Sequence, residues 1–291
     1  MAVPGFLGFE ALRTIVECGK NVVDISFSPE NVLSLNDLAK KNNVCAVVDA
    51  GVAPGIPNFL LGYWDSKIKV NSFDYLVGGL PKNPLPPYNY KAPFSPIDVI
   101  EEYTRPARMM INSKIVTKPA LSEIEELDII DAGKLEAFNT DGLRSLLITM
   151  DHIPNMKEKT LRYPGHAALM KSMIDKNLFD ENNFKNTVQK LFNDWKLNDN
   201  EPEFTVLDIN IYGSEKNIHY HLYDEMDMLS KSSSMARTTG YTATATVNML
   251  LKKIWSKKGV SPPEIVGTNE HCINSVSYTH LRAHEPSLHL V

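Results

Sequence analysis

No G-x-G-x-x-G occurs anywhere in the 291 residues, so the glycine turn that opens a dinucleotide-binding sheet is not written in this chain. There are only three cysteines, Cys18, Cys45 and Cys272, widely separated and with neither C-x-x-C nor metal-ligand spacing. An odd, scattered set excludes a disulfide framework or a zinc knuckle and leaves buried or inert thiols. Basic residues are not in excess: 30 Lys and Arg stand against 35 Asp and Glu, a net charge of −5. A nucleic-acid groove or an anionic membrane surface needs clustered positive charge, so neither is expected as the main partner. No apolar window approaches the roughly 18 residues of a membrane span, and the amino end lacks the basic-then-apolar layout of a secretory signal. A cytoplasmic protein without membrane contact is the expectation.

What remains is an ordinary globular composition, 43% hydrophobic and 22% charged, long enough for two packed domains. The first 60 residues alternate between helix (Phe9 to Cys18, then Leu35 to Lys41, then from Ile56) and strand (Asn21 to Ser26, Val44 to Asp49). Such alternation implies a parallel sheet. From Lys67 the pattern turns to longer amphipathic strands and hairpins, with the proline-rich GGLPKNPLPPYNY as a loop. Glu203–Tyr212 and Asn217–Asp227 flank GSEK, a hairpin signal, and helices are expected over His166–Lys176 and Asn183–Lys196. After the serine run Ser232–Ser234, an Ala- and Thr-rich stretch predicts one long helix closed by Gly259 and followed by Pro262 and Pro263. Its small side chains suit close approach to another element, and it is expected to return to the first domain.

The last residues, SYTHLRAHEPSLHLV, carry three of the eight histidines and no clear apolar period. They are expected to be a non-native or disordered tail and are left out of the fold. His280 and His284 are four apart within that tail, but the H-E-x-x-H order is absent and no zinc site follows. His219 and His221 lie two apart, hence on one face of a strand, and are read as a solvated face rather than a metal pair.

Several stretches, taken in order, resemble the saccharopine dehydrogenase-like family, most closely its lysine 6-dehydrogenase branch. They are VVDISFSPE, VVDAGVAPGIPN, VGGLP, FSPIDVIEEY, LEAFNTDGL, KTLRYPGH, SSMARTTGYTATA and GVSPPE, spread from residue 2 to about residue 274. The resemblance implies an α/β fold: an incomplete Rossmann-type nucleotide-binding domain plus an inserted α+β catalytic domain, with a late helix returning to the first. It sets the expected boundaries at 1–60 (second half of the nucleotide-binding domain), 61–231 (substrate and dimerisation domain), 232–275 (return helix and loop) and 276–291 (tail). The family's chains begin with the glycine fingerprint, so roughly 60 residues of βαβ are expected to be missing before Met1. A truncated chain of this kind is expected to bind the cofactor poorly, and a catalytically silent binding or dimerisation fragment is the alternative from another class.

The resemblance implies an NAD- or NADP-dependent enzyme that oxidises a carbon–nitrogen bond of a small amino-acid substrate, as a homodimer. Arg162, in TLRYPGH, is the candidate carboxylate anchor, because a guanidinium grips a carboxylate through two parallel hydrogen bonds. Leu161 and Tyr163 flank it at matching substrate-binding positions, with Phe27. Asp141, in FNTDGL, is the candidate partner of the substrate amine, against its reading as a turn or helix-capping residue. Proton removal is open among Asp49, Tyr163 and His166. For the cofactor the candidates are Val3, Pro4, Ser26, Ala53, Pro54, Gly55 and Ser95. Glutamate-forming saccharopine enzymes carry an acidic residue where Ala53 stands and a histidine where Asn58 stands; this departure favours free lysine over saccharopine, with a saccharopine dehydrogenase or a carboxynorspermidine synthase-type enzyme as the alternatives.

Overall fold

The computed structural model describes residues 1–92, 94–198 and 201–283. Two sheets organise them. In the first, β1 (Val22–Val23), β2 (Cys45–Val47) and β11 (Gly259–Ser261) are parallel, in the order β1-β2-β11. Met1 extends this ladder on the far side of β1: its amino group donates to the Val23 carbonyl, and the Ile25 amide donates to the Met1 carbonyl.

The short strands alternate their burial between two helical layers. Val22, Ala46 and Val48 pack with Leu12 and Val16 of α1 (Gly5–Glu17) and Ala39 of α2 (Asn36–Lys41). Val23 and Val47 face the other way. They meet Phe59 of α3 (Ile56–Asp65), Ala245 and Met249 of α8 (Ser234–Leu251), Val266 of α9 (Pro263–Gly267) and Cys272 of α10 (Glu270–Ala283).

The second sheet has eight strands: β3 (Val70–Pro81), β4 (Ala107–Ile111), β5 (Lys114–Lys118), β6 (Glu125–Ile129), β7 (Gly133–Asn139), β8 (Asn155–Arg162), β9 (Glu203–Gly213) and β10 (Asn217–Glu225). Its main path runs β10-β9-β3-β8-β4-β5, and β7 joins β8 and β6. Only β3 and β8 run parallel there, with Tyr75 opposite Glu158 and Val77 opposite Thr160. The remaining helices are α4 (Pro96–Thr104), α5 (Leu146–Thr149), α6 (His166–Asp175) and α7 (Phe184–Asp194).

Three expectations need correction. The late helix does not run to Gly259: it ends at Leu251, the chain reverses at Lys253 with φ +56°, and Gly259 begins β11 instead. Three residues suffice for that strand because Cys45, Ala46 and Val47 of β2 offer it buried partners, a signal too short for periodicity to reveal. Cys18 is exposed at the end of α1, whereas Cys45 and Cys272 are buried. Finally, α10 continues through Ala283, across the boundary set at 276; residues 284–291, including His284, lie outside the described residues.

Candidate active site

Where β1 and β2 end, their following loops face the large sheet across a cavity of about 410 Å³. Ligands of parallel sheets bind at such carboxyl ends. One wall comes from the parallel layer: Val3, Pro4, Ser26, Phe27, Asp49 and the loop Gly51–Pro54. The facing wall is the parallel pair β3 and β8, whose inward positions Tyr75, Val77, Glu158 and Thr160 lie side by side. Thr140, Asp141 and Gly142 follow β7 into the same space, Ser95, Asp98 and Glu102 reach it from α4, and Met235 and Thr239 close it from α8.

The acidic and basic side chains are unevenly placed around the cavity. Its lining holds five carboxyl groups, on Asp49, Asp98, Glu102, Asp141 and Glu158, and no lysine, arginine or histidine among the described residues. The nearby cations sit behind three of those carboxyls. Arg108 grips Asp141 through its backbone amide (3.1 Å), Nε (3.0 Å) and Nη2 (2.8 Å). Asp141 is therefore not a helix cap; its side chain is spent on this clamp. Arg144 Nε donates to Asp49 at 3.2 Å while its guanidinium lies 4.4 Å from the Phe27 ring centre. Both partners of that pair have left-handed backbones, φ +53° at Asp49 and +49° at Arg144. Such conformations cost on the order of 1–3 kcal/mol each and persist where surrounding contacts over-determine them. Arg162 stands 3.6 Å from Glu102.

Glu158 is held differently. Thr140 Oγ1 donates to it at 2.8 Å and the Gly142 amide at 3.0 Å, both neutral donors. The Gly142 position has no room for a side chain, since a Cβ would lie 2.6 Å from the Glu158 carboxyl carbon. Burial pushes the Glu158 pKa up to about 8, against those two hydrogen bonds. Burial also raises Glu102, to about 7, against the pull of Arg162.

Of the residues expected from sequence, Val3, Pro4, Ser26, Phe27, Asp49, Ala53, Pro54, Ser95 and Asp141 all line this cavity. The others stand behind it. Gly55 closes the loop beneath Pro54; with φ +146°, a Cβ there would fall 1.8 Å from the Gly51 carbonyl. Arg162 shares the Glu158 face of β8 but is buried, donating to Tyr103 Oη at 2.8 Å and lying 4.4 Å from the Tyr90 ring centre. Leu161 points to the opposite face, into a core with Trp195 and Phe138. Tyr163 Oη donates to the Pro81 carbonyl at 2.9 Å.

His166 neither lines the cavity nor caps α6; Glu136 does the capping, accepting from the Gly165 and Ala167 amides. The His166 Nδ1–H donates to the Tyr88 carbonyl (2.8 Å), which can only accept, so Nε2 accepts from Tyr103 Oη (3.0 Å). Burial and the Arg162 charge drive its pKa down to about 3. The imidazole is thus a neutral strut that orients Tyr103, and through it Arg162. Asn58 is also behind the lining: its Oδ1 accepts from the Gly55 amide and its Nδ2 donates to Glu264, so it holds the loop rather than touching the cavity.

Sequence reasoning missed Glu158, Glu102, Asp98, Tyr75, Thr140 and Thr239. A signal existed for the first: in KEKTLR, Glu158, Thr160 and Arg162 alternate on one face of a strand, with Lys157, Lys159 and Leu161 on the other. His219 and His221, read as a solvated pair, both donate to Asp208 Oδ1, at 2.7 and 3.2 Å. No group of three or more His, Cys, Asp or Glu among the described residues could hold a metal ion.

With this geometry in hand, comparison with known proteins gives a consistent outcome. Residues 51–277 match the family described as the saccharopine dehydrogenase C-terminal domain. The chain belongs to this family. The saccharopine dehydrogenase fold extends beyond that segment. The apo saccharopine dehydrogenase (L-Glu forming) from Saccharomyces cerevisiae superposes with a TM-score of 0.70 at 16% identity, covering 96% of this chain and 81% of that one. The homospermidine synthase from Legionella pneumophila, solved with NAD, gives 0.60 at 10% identity, covering 97% and 78%. In sequence, the alpha-aminoadipic semialdehyde synthase of Arabidopsis thaliana is 26% identical over 186 residues, 58% of this chain. The chain spans 17% of that protein's length. Among the described residues no helix is long and apolar enough to cross a membrane.

Proposed function

We propose that this saccharopine dehydrogenase family member is an NAD(P)-dependent oxidoreductase acting on a carbon–nitrogen bond of an amino acid, and that its substrate is lysine, oxidised at the ε-amine. The observation that carries the reading is the make-up of the lining: five carboxyls line the cavity and, among the described residues, no cation does. Saccharopine brings three carboxylates, whereas lysine brings one, with two ammonium groups. The lining offers no lysine, arginine or histidine to receive the two further carboxylates of saccharopine, so it favours the more cationic substrate.

The wall formed by the parallel layer fits the nicotinamide end of a dinucleotide. Val3, Pro4, Ala53 and Pro54 are small, and the Gly51–Gly55 turn is tight enough to bring backbone to a ligand. Val3, Pro4, Ser26, Ala53, Pro54, Gly55 and Ser95 would hold that end. Bound NAD or NADP would supply the acceptor for the electron pair of the breaking C–H bond. The chain's own residues do the rest. Asp141, fixed by Arg108, and Asp49, fixed by Arg144, present carboxylates whose positions do not drift when a cation arrives. Arg162, the carboxylate anchor expected from sequence, is oriented by Tyr103 and stands one layer behind Glu102, where it faces that carboxyl rather than the cavity.

The same lining favours one other class, a diamine or polyamine, because it selects for ammonium groups rather than for an α-amino acid. Absorbance of reduced cofactor, followed in the protein encoded by the whole open reading frame that contains this chain, separates the readings. Growth with lysine and none with saccharopine is the expected result. Turnover of saccharopine alone would sink it, and turnover of a diamine but not lysine would shift it to the second class. A homodimer belongs to the same proposal and is checked by sedimentation.

A further inference from the structure

The five cavity carboxyls are not equivalent. Asp49, Asp141 and Glu102 already face arginines, and Asp98, at the first turn of α4, accepts from the Gly5 amide at 3.3 Å, at the amino end of α1 where the helix dipole is positive. Glu158 is 3% exposed, opens onto the cavity, and is held only by a hydroxyl and a backbone amide. A carboxylate in that setting lacks the charge partner that buried carboxylates ordinarily have. It also has a route for a proton: Thr140 Oγ1 is 2.8 Å from Glu158 and 2.8 Å from Thr160 Oγ1, itself on the cavity wall.

We propose that Glu158 is the residue that binds the reacting ammonium group and takes its proton. The step is a simple transfer: one N–H bond of the R–NH3⁺ group breaks, its electron pair stays on nitrogen, and the proton forms an O–H bond on Glu158, leaving a neutral amine and a neutral carboxylic acid. A neutral amine is what the oxidation needs, since its lone pair stabilises the cationic carbon that develops as the C–H bond breaks. The raised proton affinity of Glu158 suits a base working near neutrality. This rests on the amine-oxidation reading above, but its core, ammonium recognition by Glu158, is testable without turnover.

Calorimetry on the full chain with n-butylamine, L-lysine and L-norleucine makes the test. Glu158→Gln keeps the acceptor for Thr140 and Gly142 while removing the charge. It should weaken n-butylamine and lysine at least tenfold and leave norleucine, which has no side-chain amine, unchanged; Glu158→Asp should recover part of the loss. In the parent, n-butylamine affinity should rise with pH and level off near 8, and that slope should vanish in Glu158→Gln. If n-butylamine depends on Glu158 while lysine does not bind, ammonium recognition stands and the lysine reading falls. If n-butylamine binds both proteins equally or neither, or if norleucine is weakened alike, the proposal is overturned.

Discussion

Burial acts on Glu158 and His166 in opposite directions, because it disfavours the charged form of each. Glu158 rises from an ordinary 4.5 to about 8, so its contribution to folding is complete below 4.5 and is lost as pH climbs to 8. His166 falls from 6.5 to about 3, so its contribution is complete above 6.5 and is lost as pH drops toward 3. Urea unfolding of Glu158→Gln and the parent at pH 5 and pH 8 should therefore show the variant losing less stability across that interval. A parent with a flat response would contradict the burial of the carboxyl. At this scale the sequence was half legible. Asp49, Asp141 and the Ala53–Pro54 loop were marked by the family's motifs, whereas Glu102 and Glu158 are ordinary surface-type residues whose surroundings are set by distant segments: Glu102 faces Arg162, 60 positions on, and Glu158 is held by Thr140 and Gly142.

Elements were easier to read than their ends. The α3 helix starts at Ile56 as expected, since Gly55 permits the φ of +146° that precedes it and Pro57 suits a first turn. The hairpin Glu203–Gly213 and Asn217–Glu225 also falls where alternation and GSEK put it. What alternation could not reveal was β11, nor that α3 packs backbone to backbone on α9. Gly62 allows that approach: a Cβ there would sit 1.9 Å from the Glu264 carbonyl. Because the obstacle is main chain, Gly62→Ala should destabilise the protein by about 3 kcal/mol, the upper end for overpacking. Thermal unfolding checks it, and a melting temperature within a degree of the parent's would mean the two helices slide apart freely.

Across the whole molecule, charge and architecture point the same way. The net charge is −5 and the cavity between the two sheets concentrates carboxyls. A cationic ligand should therefore associate faster at low ionic strength, where the screening length is longer. Raising salt from 20 to 500 mM should slow the association rate of lysine about threefold to tenfold, measured by stopped flow; a rate indifferent to salt would show that the surface field plays no part in capture. The two-sheet plan was legible from the change of periodicity near Lys67, but not which loops meet, because the walls come from segments as distant as Val3, Glu158 and Thr239.

The position of β11 beside β2 also sets an order of events during synthesis. Residues 45–47 leave the ribosome more than 200 residues before their partner at 259–261. At 5–20 residues per second this interval is roughly 10–40 s. Until then β2 has β1 on one flank and an open edge on the other, and of the helices that cover its second face only α3 emerges early, while α8 comes just ahead of β11 and α9 and α10 follow it. The strands of the large sheet are all encoded in between, so that sheet is complete in sequence before the parallel layer can be closed.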